Sequence, residues 1–566
     1  MTLAGWLLVS LGAFAVAYAV YSRIVARLFG LNAATKTPAH EHHDGANFVP
    51  TPRFYLLSQH FSAISAAGPI AGPILAALAF GWKPAILWIV LGCIFIGALH
   101  DFSALVGSMR HGACSVAELM RKYLNGRTWA AFSFYIWLAL VYVIIAFTDI
   151  TARAFVEDLD VTVPGSGERL LIRGAGVAAS SMLYLFLGVA MGLFVKIFKP
   201  RLWTTTLIFV PLVAAAVALG PMLPLHWVAD GPIPSLYWSY AILLYCGVAS
   251  MLPVWLLLQP RGYLGGFFLY VTLLGGVLGL VLENPAAEWP GYLGFTSAQG
   301  QPLVPFLFIT IACGACSGFH GLVCSGTTSK QIDREPDARV VGYGGMLLEG
   351  VVALLALACV MWLAADSPVA KQNPDKIFGY GVGTFLSRLG VPLTFAVSFG
   401  MLAFATFVYD TLDVCTRLGR YLFQEFTGLR GRAGALAGTV VTLALPLVAV
   451  SQTATDAGGR IIPAYKVIWP LFGTSNQLLA ALTLLGLLLW LVRTNKPRIL
   501  RFIVGIPMIF MSGITLSALV LQIKDAKATN LLLTVAVTLL VLSLWILAEA
   551  LLALLIRRQT APLRAQ

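Results

Sequence analysis

The segment His60-Phe-Ser-Ala-Ile-Ser-Ala-Ala-Gly-Pro-Ile-Ala-Gly-Pro73 lies inside an otherwise apolar run and carries two Gly-Pro pairs four residues apart. Each proline removes a backbone donor and clashes with the preceding turn, so the sequence predicts an interrupted helix. Bare backbone within a bilayer is tolerated only where it is buried in protein or lines a cavity. Interrupted helices of this kind build substrate and ion sites in secondary transporters.

The bilayer setting follows from composition. The chain has 566 residues, 59% hydrophobic and 11% charged, where a soluble domain carries about 25% charged residues. Its net charge of +13 does not point to nucleic acid, because the basic residues are scattered among short loops between apolar runs and read as topology determinants. The first apolar run, near Gly5–Tyr21, lacks a charged leading region and reads as a retained helix rather than a signal peptide. The eight cysteines lie almost entirely in apolar segments. They read as small hydrophobes and not as a disulfide framework.

Apolar runs of membrane-spanning length number roughly fifteen. They centre near residues 13, 69, 95, 142, 185, 212, 246, 272, 313, 353, 402, 443, 480, 512 and 542, with a hidden bend most expected around 386–420. An external N-terminus puts about 26 of the 37 Lys and Arg on the cytoplasmic side, among them Arg110, Arg121, Lys196, Lys330, Arg334 and Arg493. The loops at 223–234 and 283–301, external in that scheme, contain neither Lys nor Arg. The C-terminus is then cytoplasmic.

Spans two to eleven divide into two sets of five. The second set opens on Ala249-Ser-Met-Leu-Pro-Val-Trp-Leu-Leu-Leu-Gln-Pro260, which is also proline-interrupted and runs in the opposite direction. Odd-numbered repeats of opposite orientation mark inverted-topology transporters. The expected fold is an all-α polytopic membrane protein with a LeuT-like 5+5 inverted repeat and discontinuous helices. Residues 1–56 form an N-terminal helix and loop. Residues 57–425 form the transporter core, with repeats at about 57–222 and 235–425. Residues 426–566 form a C-terminal accessory bundle.

Several stretches carry a resemblance. They are Asp44-Gly45 with Val49-Pro50-Thr51, His60-Phe61 with Gly68-Pro69-Ile70, His100-Asp101-Phe102, and Leu252-Pro253-Val254-Trp255 with Gln259-Pro260-Arg261. Further along come Ser317-Gly318-Phe319-His320, Ser325 to Gln331, Leu412-Asp413 with Arg417, and Trp469-Pro470-Leu471-Phe472-Gly473-Thr474-Ser475-Asn476-Gln477. In order and over nearly the whole chain, these resemble the carbon starvation A (CstA) family of bacterial inner-membrane transporters. The resemblance implies uptake of peptides, or of pyruvate by proton symport, during carbon limitation. The chain departs from the family pattern at Gln59, where a second histidine precedes the phenylalanine, and at Gly262, where an acid follows the arginine. Ala249 and Cys316 are further departures.

The candidate site residues follow from the interruptions. Where a helix opens, free N–H groups hold a carboxylate and free carbonyls ligate a cation. Ser65, Gly68 and Gly72, with Ser62 beside them, are expected to line the cavity, and Ser250, Gln259 and Ser317 to supply polar contacts to substrate. Intramembrane ionisable groups are costly and therefore mark function. The order of preference for proton coupling is His60, Glu349, His320, then Asp101, with Thr327 and Thr328 as an ion ligand, helix cap or gate. A proton is favoured over sodium as the coupling ion. Asp149 lies deep in the fourth span, and Asp413 is expected to pair with Arg417 four residues on.

Two other classes compete. Cys313, Cys316, His320 and Cys324 share one helical face at i, i+3, i+7 and i+11 and suit a soft metal, which makes a membrane redox protein the alternative. One straight helix does not wrap four ligands around an ion, so no metal or other cofactor is assigned. The loop His40, His42, His43 and Asp44 reads as solvated rather than as a zinc site. A channel-like permease needs a continuous polar pore, and no ring of charges is present. No Walker-type loop precedes Lys-Ser/Thr and no Gly-x-Ser-x-Gly elbow is set between strand and helix, so no enzymatic activity is expected. The expected partners are the lipid bilayer and a small-molecule substrate, with no nucleic acid.

Overall fold

The computed structural model describes residues 2–45, 48–163, 167–223, 233–253, 255–452, 454–455, 461–462, 464–524 and 530–555. Helices α1 (Leu3–Val16) and α2 (Ser22–Phe29) run on through a π-turn, and α3 (Pro38–Glu41) is a single turn. Then come α4 (Arg53–Ile64), α5 (Gly68–Phe80), α6 (Trp82–Gly92), α7 (Ala98–Met109), α8 (Val116–Tyr123) and α9 (Gly126–Val156). A short antiparallel hairpin, β1 (Leu159–Thr162) with β2 (Arg169–Ile172), precedes α10 (Gly174–Phe198) and α11 (Leu202–Leu219). The next are α12 (Ser235–Met251), α13 (Leu258–Glu283), α14 (Leu303–Thr310), α15 (Gly318–Gly326) and α16 (Gly345–Met361). The chain closes with α17 (Pro374–Ser387), α18 (Leu393–Thr427), α19 (Gly431–Val450), α20 (Ala464–Arg493), α21 (Arg498–Lys524) and α22 (Asn530–Leu555).

Among the described residues, twelve helical segments are long and apolar enough to cross a membrane, and α4 with α5, bent by 46°, makes a thirteenth. The expected centres near 246 and 313 fall on the shorter α12 and on the gap between α14 and α15. Helix α18 is unbroken from Leu393 to Thr427. The turn lies before it, at Gly390 (φ +87°), and separates α17 from α18.

The first break does not fall at the Gly-Pro pairs themselves. Helix α4 ends at Ser65, whose ψ of 78° leaves the helical region. Gly68-Pro69 then opens α5, where the missing proline N–H costs nothing. Pro73 sits within α5 and removes one further backbone hydrogen bond.

The Pro253 segment behaves differently from expectation. It separates two helices, α12 and α13, and Pro260 lies in the first turn of α13, where no N–H is needed. The counterpart of the first break is instead α14–α15, interrupted over residues 311–317.

These two interrupted helices pack against each other in opposite directions around their breaks. His60 meets Thr328, Gly68 packs on Cys313, and Gly72 packs on the Thr310 carbonyl. The approach depends on glycine. A Cβ on Gly68 would stand 2.3 Å from Cys313 Sγ, and one on Gly72 would stand 2.6 Å from the Thr310 oxygen. Small residues permit this backbone proximity between membrane helices.

Candidate functional site: the crossing of two interrupted helices

Interrupting α14–α15 frees backbone groups that a neighbour must satisfy. Helix α20 does so. Asn476 Oδ1 accepts from the Phe319 N–H at 2.9 Å, its Nδ2 donates to Ser317 Oγ at 3.0 Å and to Cys313 Sγ at 3.2 Å, and Gln477 Nε2 donates to the Phe308 carbonyl at 2.6 Å. The first turn of α15 is thereby capped from another helix, and a helix placed in the accessory bundle by sequence touches the second break directly. The interruption also parts Cys313 and Cys316 from His320 and Cys324, so the four do not share one helical face. No group of three His, Cys, Asp or Glu side chains among the described residues is arranged to hold a metal ion.

With α15 fixed, His320 enters a fully buried set of ionisable groups. Its Nδ1 lies 2.9 Å from Asp101 Oδ2 on α7, and its Nε2 lies 3.0 Å from a Glu349 oxygen on α16. Asp101 Oδ1 takes a second imidazole, His100 Nδ1, at 2.8 Å. Glycines make the room. Gly321 faces the His100 ring, and Gly345 faces the His60 ring, each at 3.0 Å from where a Cβ would stand. The Asp101 contact is a hydrogen bond, while Glu349 lies within ion-pair distance of the second ring nitrogen without hydrogen-bond geometry.

His60 lies one turn further along the same face of α15, beside Cys324. Its Nδ1 is 2.9 Å from Thr328 Oγ1, and Cys324 Sγ lies 4.0 Å from Nε2. Gln59, His60, Thr327, Thr328, Gly262 and Asp410 line a cavity of about 20 Å³, room for about one water. Two of the four departures from the resembled pattern, Gln59 and Gly262, therefore face the same space.

Beside this cavity lies a group that sequence reasoning left without a role. Arg261 on α13 is fully buried, with Nε 2.6 Å from Asp410 Oδ1 and Nη1 2.5 Å from Asp413 Oδ2. Tyr245 hydrogen-bonds both Arg261 and Asp413, Tyr184 donates to the Arg261 carbonyl, and Ser62 Oγ on α4 donates to Asp410 Oδ2. Asp413 thus pairs with Arg261 and not with Arg417. The latter donates to the carbonyls of Ala249 and Leu252 at the end of α12.

The remaining expected residues divide. Ser65 sits at the first break, its buried hydroxyl without a partner among the described residues. Gly68 and Gly72 form the crossing, and Ser317 is held by Asn476. Ser250 is not at the crossing. Its hydroxyl meets Thr439 at 3.1 Å and its carbonyl takes Arg420 at 2.5 Å, because Pro253 ends a separate helix there. Gln259 lies in the first turn of α13 and does not line the cavity. Asp149 lies 3.3 Å from Arg153, one turn on. In the histidine loop, His40 contacts Asp333 at 2.8 Å and His43 the Phe48 carbonyl at 2.8 Å. Asn476, Gln477, His100 and Arg261 were visible as polar residues in apolar surroundings and as members of the stretches that carry the resemblance, but neither signal assigned them a role.

An antiparallel pair of interrupted helices, packed among long apolar helices with buried ionisable groups at the crossing, defines a LeuT-like membrane transporter fold. In agreement, the fold resembles a manganese transporter from Eremococcus coleocola with a TM-score of 0.51 at 13% identity, covering 90% of this chain and 98% of that one. Residues 3–369 and 364–518 match the carbon starvation protein CstA family, and the chain belongs to that family. It is 30% identical to the pyruvate/proton symporter BtsT of Escherichia coli K12, over 85% of this chain and 76% of the symporter. It is 30% identical to the peptide transporter CstA of the same strain, over 87% and 77%, and 31% identical to the peptide transporter CstA of Bacillus subtilis 168, over 83% and 82%.

Proposed function

We propose that this chain is a proton-coupled importer of small carboxylate-bearing nutrients, either short peptides or pyruvate, in the bacterial inner membrane. The observation that carries the reading is His320 held between Asp101 and Glu349 at the crossing of the two interrupted helices. A buried imidazole with two carboxylates stores or releases a proton without large movement of atoms, whereas a sodium site would draw on hydroxyl and carbonyl oxygens. The relatives named for peptides and for pyruvate with protons support the substrate class and the coupling ion.

In this reading His320, Glu349 and Asp101 carry the proton, and His60 with Thr328 links them to the cavity that Thr327 also lines. Ser65 and the free N–H groups of the first break face substrate, Gly68 and Gly72 set the crossing, and Ser317 holds the second break. The transporter core then takes in α4–α5 and α14–α15, the N-terminus is external and the C-terminus cytoplasmic. Rocking of the interrupted helices against their surroundings alternates access.

Uptake of labelled pyruvate and of labelled dialanine into proteoliposomes tests this, with pH and sodium gradients imposed separately. Accumulation driven by an inward proton gradient is expected. Uptake indifferent to the proton gradient would overturn the symport reading.

A further inference from the structure

Two buried carboxylates compete for one guanidinium. Arg261 gives Nε to Asp410 and Nη1 to Asp413, while its Nη2 and Asp413 Oδ1 have no partner among the described residues although both are buried. A buried arginine with an unspent donor is costly, and this one pairs with an acid that lines the cavity. Of the two acids, Asp413 is fixed further by Tyr245 on α12. Asp410 instead lines the cavity, between Arg261 and the space shared with His60 and Thr328. The residues flanking Arg261 on α13, Leu258 and Gly262, line the cavity as well. The other oxygen of Asp410 is held by Ser62, three residues before the break that ends α4.

The groups facing Asp410 are few. They are Arg261 from α13, Ser62 from α4, the Tyr184 hydroxyl from α10 close to Gly265, and His60 across the cavity, with Asp413 and Arg417 on its own helix. Gly265 lets them meet, since a Cβ there would stand 2.7 Å from both Asp410 Oδ2 and Ser62 Oγ.

We propose that Arg261 is the receptor for the substrate carboxylate and that Asp410 occupies it when no substrate is bound. A proton taken up by the Asp410 carboxylate gives the neutral acid, which releases Arg261 Nε. The substrate carboxylate then takes the place of Asp410 on the guanidinium, bidentate through Nε and Nη2. One proton enters with one carboxylate, so the charge around Arg261 is the same before and after. Because Ser62 ties Asp410 to α4, the exchange also loosens the first interrupted helix at its break. The inference rests on the carboxylate-importer reading and adds the receptor, its competitor, and Asp410 as the cavity-side acceptor of the same proton, which His60 and Thr328 connect to the His320 set.

The test is binding of pyruvate and of dialanine to purified protein across pH, beside proteoliposome uptake. In the wild type, affinity is expected to fall by about tenfold per pH unit once Asp410 is ionised, as one linked proton requires. Asp410→Asn, a mimic of the neutral acid, is expected to bind with little dependence on pH and to exchange substrate, while losing accumulation driven by the proton gradient. Arg261→Gln alone would strand two buried acids, so it is made together with Asp410→Asn and Asp413→Asn. That variant should fold and bind neither probe. The proposal is overturned if Asp410→Asn keeps the wild-type pH dependence, if it binds neither probe, or if the neutralised triple variant binds as the wild type does. A wild type that binds neither probe at any pH overturns the importer reading and this inference with it. Proton-driven uptake in the wild type with any of the first three results overturns the inference alone.

Discussion

His60 on α4 and Thr328, just beyond α15, meet at 2.9 Å and tie together the two interrupted helices beside the cavity. Both residues are buried, so losing one partner leaves a polar group unsatisfied, at a cost of about 1–3 kcal/mol. Thr328→Val keeps the shape and removes the hydroxyl. It is expected to lower unfolding stability in detergent by about that amount and to reduce uptake, while Thr328→Ser restores both. Thermal unfolding of the three proteins measured in parallel checks this, and a valine variant as stable and active as the wild type would show the contact to be incidental.

The crossing itself makes a prediction about suppression. Gly68→Ala puts a methyl group against the Cys313 side chain, with Sγ at 2.3 Å and Cβ at 2.5 Å. Overpacking of this kind costs about 1–3 kcal/mol. Cys313→Gly removes the obstructing atoms and should rescue Gly68→Ala in uptake assays. Gly72→Ala meets a backbone oxygen, that of Thr310, at 2.6 Å. No side-chain change relieves that contact, so no substitution in α14 should rescue it.

The first break was legible because glycine and proline act through local backbone sterics, which a sequence displays directly. The second was not, since residues 311–317 contain no proline and the groups freed there are satisfied by Asn476 and Gln477 of α20. A partner some 160 residues away leaves no local pattern. Conversely, Pro253 drew attention to a segment where proline merely ends a helix. Buried ionisable residues were legible one by one, but their pairing was not. The i, i+4 spacing suggested Asp413 with Arg417, and the packing of α13 on α18 put Arg261 there instead.

Charge conservation within the buried histidine set gives the next expectation. Glu349→Gln keeps the volume and the contact to His320 while removing one carboxylate from a fully buried group of four. If His320 and its carboxylates carry the coupling proton, the variant should still exchange internal for external substrate. It should lose concentrative uptake under a proton gradient, reaching about the level seen without a gradient. Counterflow and gradient-driven uptake of labelled pyruvate, measured on the same vesicles, separate the two activities. Retained concentrative uptake would remove Glu349 from the proton path.

Asn476 offers the sharpest structural test, because it serves both faces of one break. Its oxygen caps the first turn of α15 through the Phe319 N–H, and its amide donates to Ser317 and Cys313. Asn476→Asp retains the accepting oxygen and loses the donor, whereas Asn476→Leu loses both. Cap loss costs about 0.5–2 kcal/mol, and each stranded buried group adds to it. Stability should therefore fall in the order wild type, aspartate, leucine. Cys313 reports the same event chemically, since it is buried and receives a hydrogen bond from Asn476. In a background where the half-buried Cys114 is replaced by Ala, maleimide labelling of the folded leucine variant should exceed that of the wild type and disappear with Cys313→Ala. Equal labelling and equal stability in all three proteins would mean that the second break holds without α20.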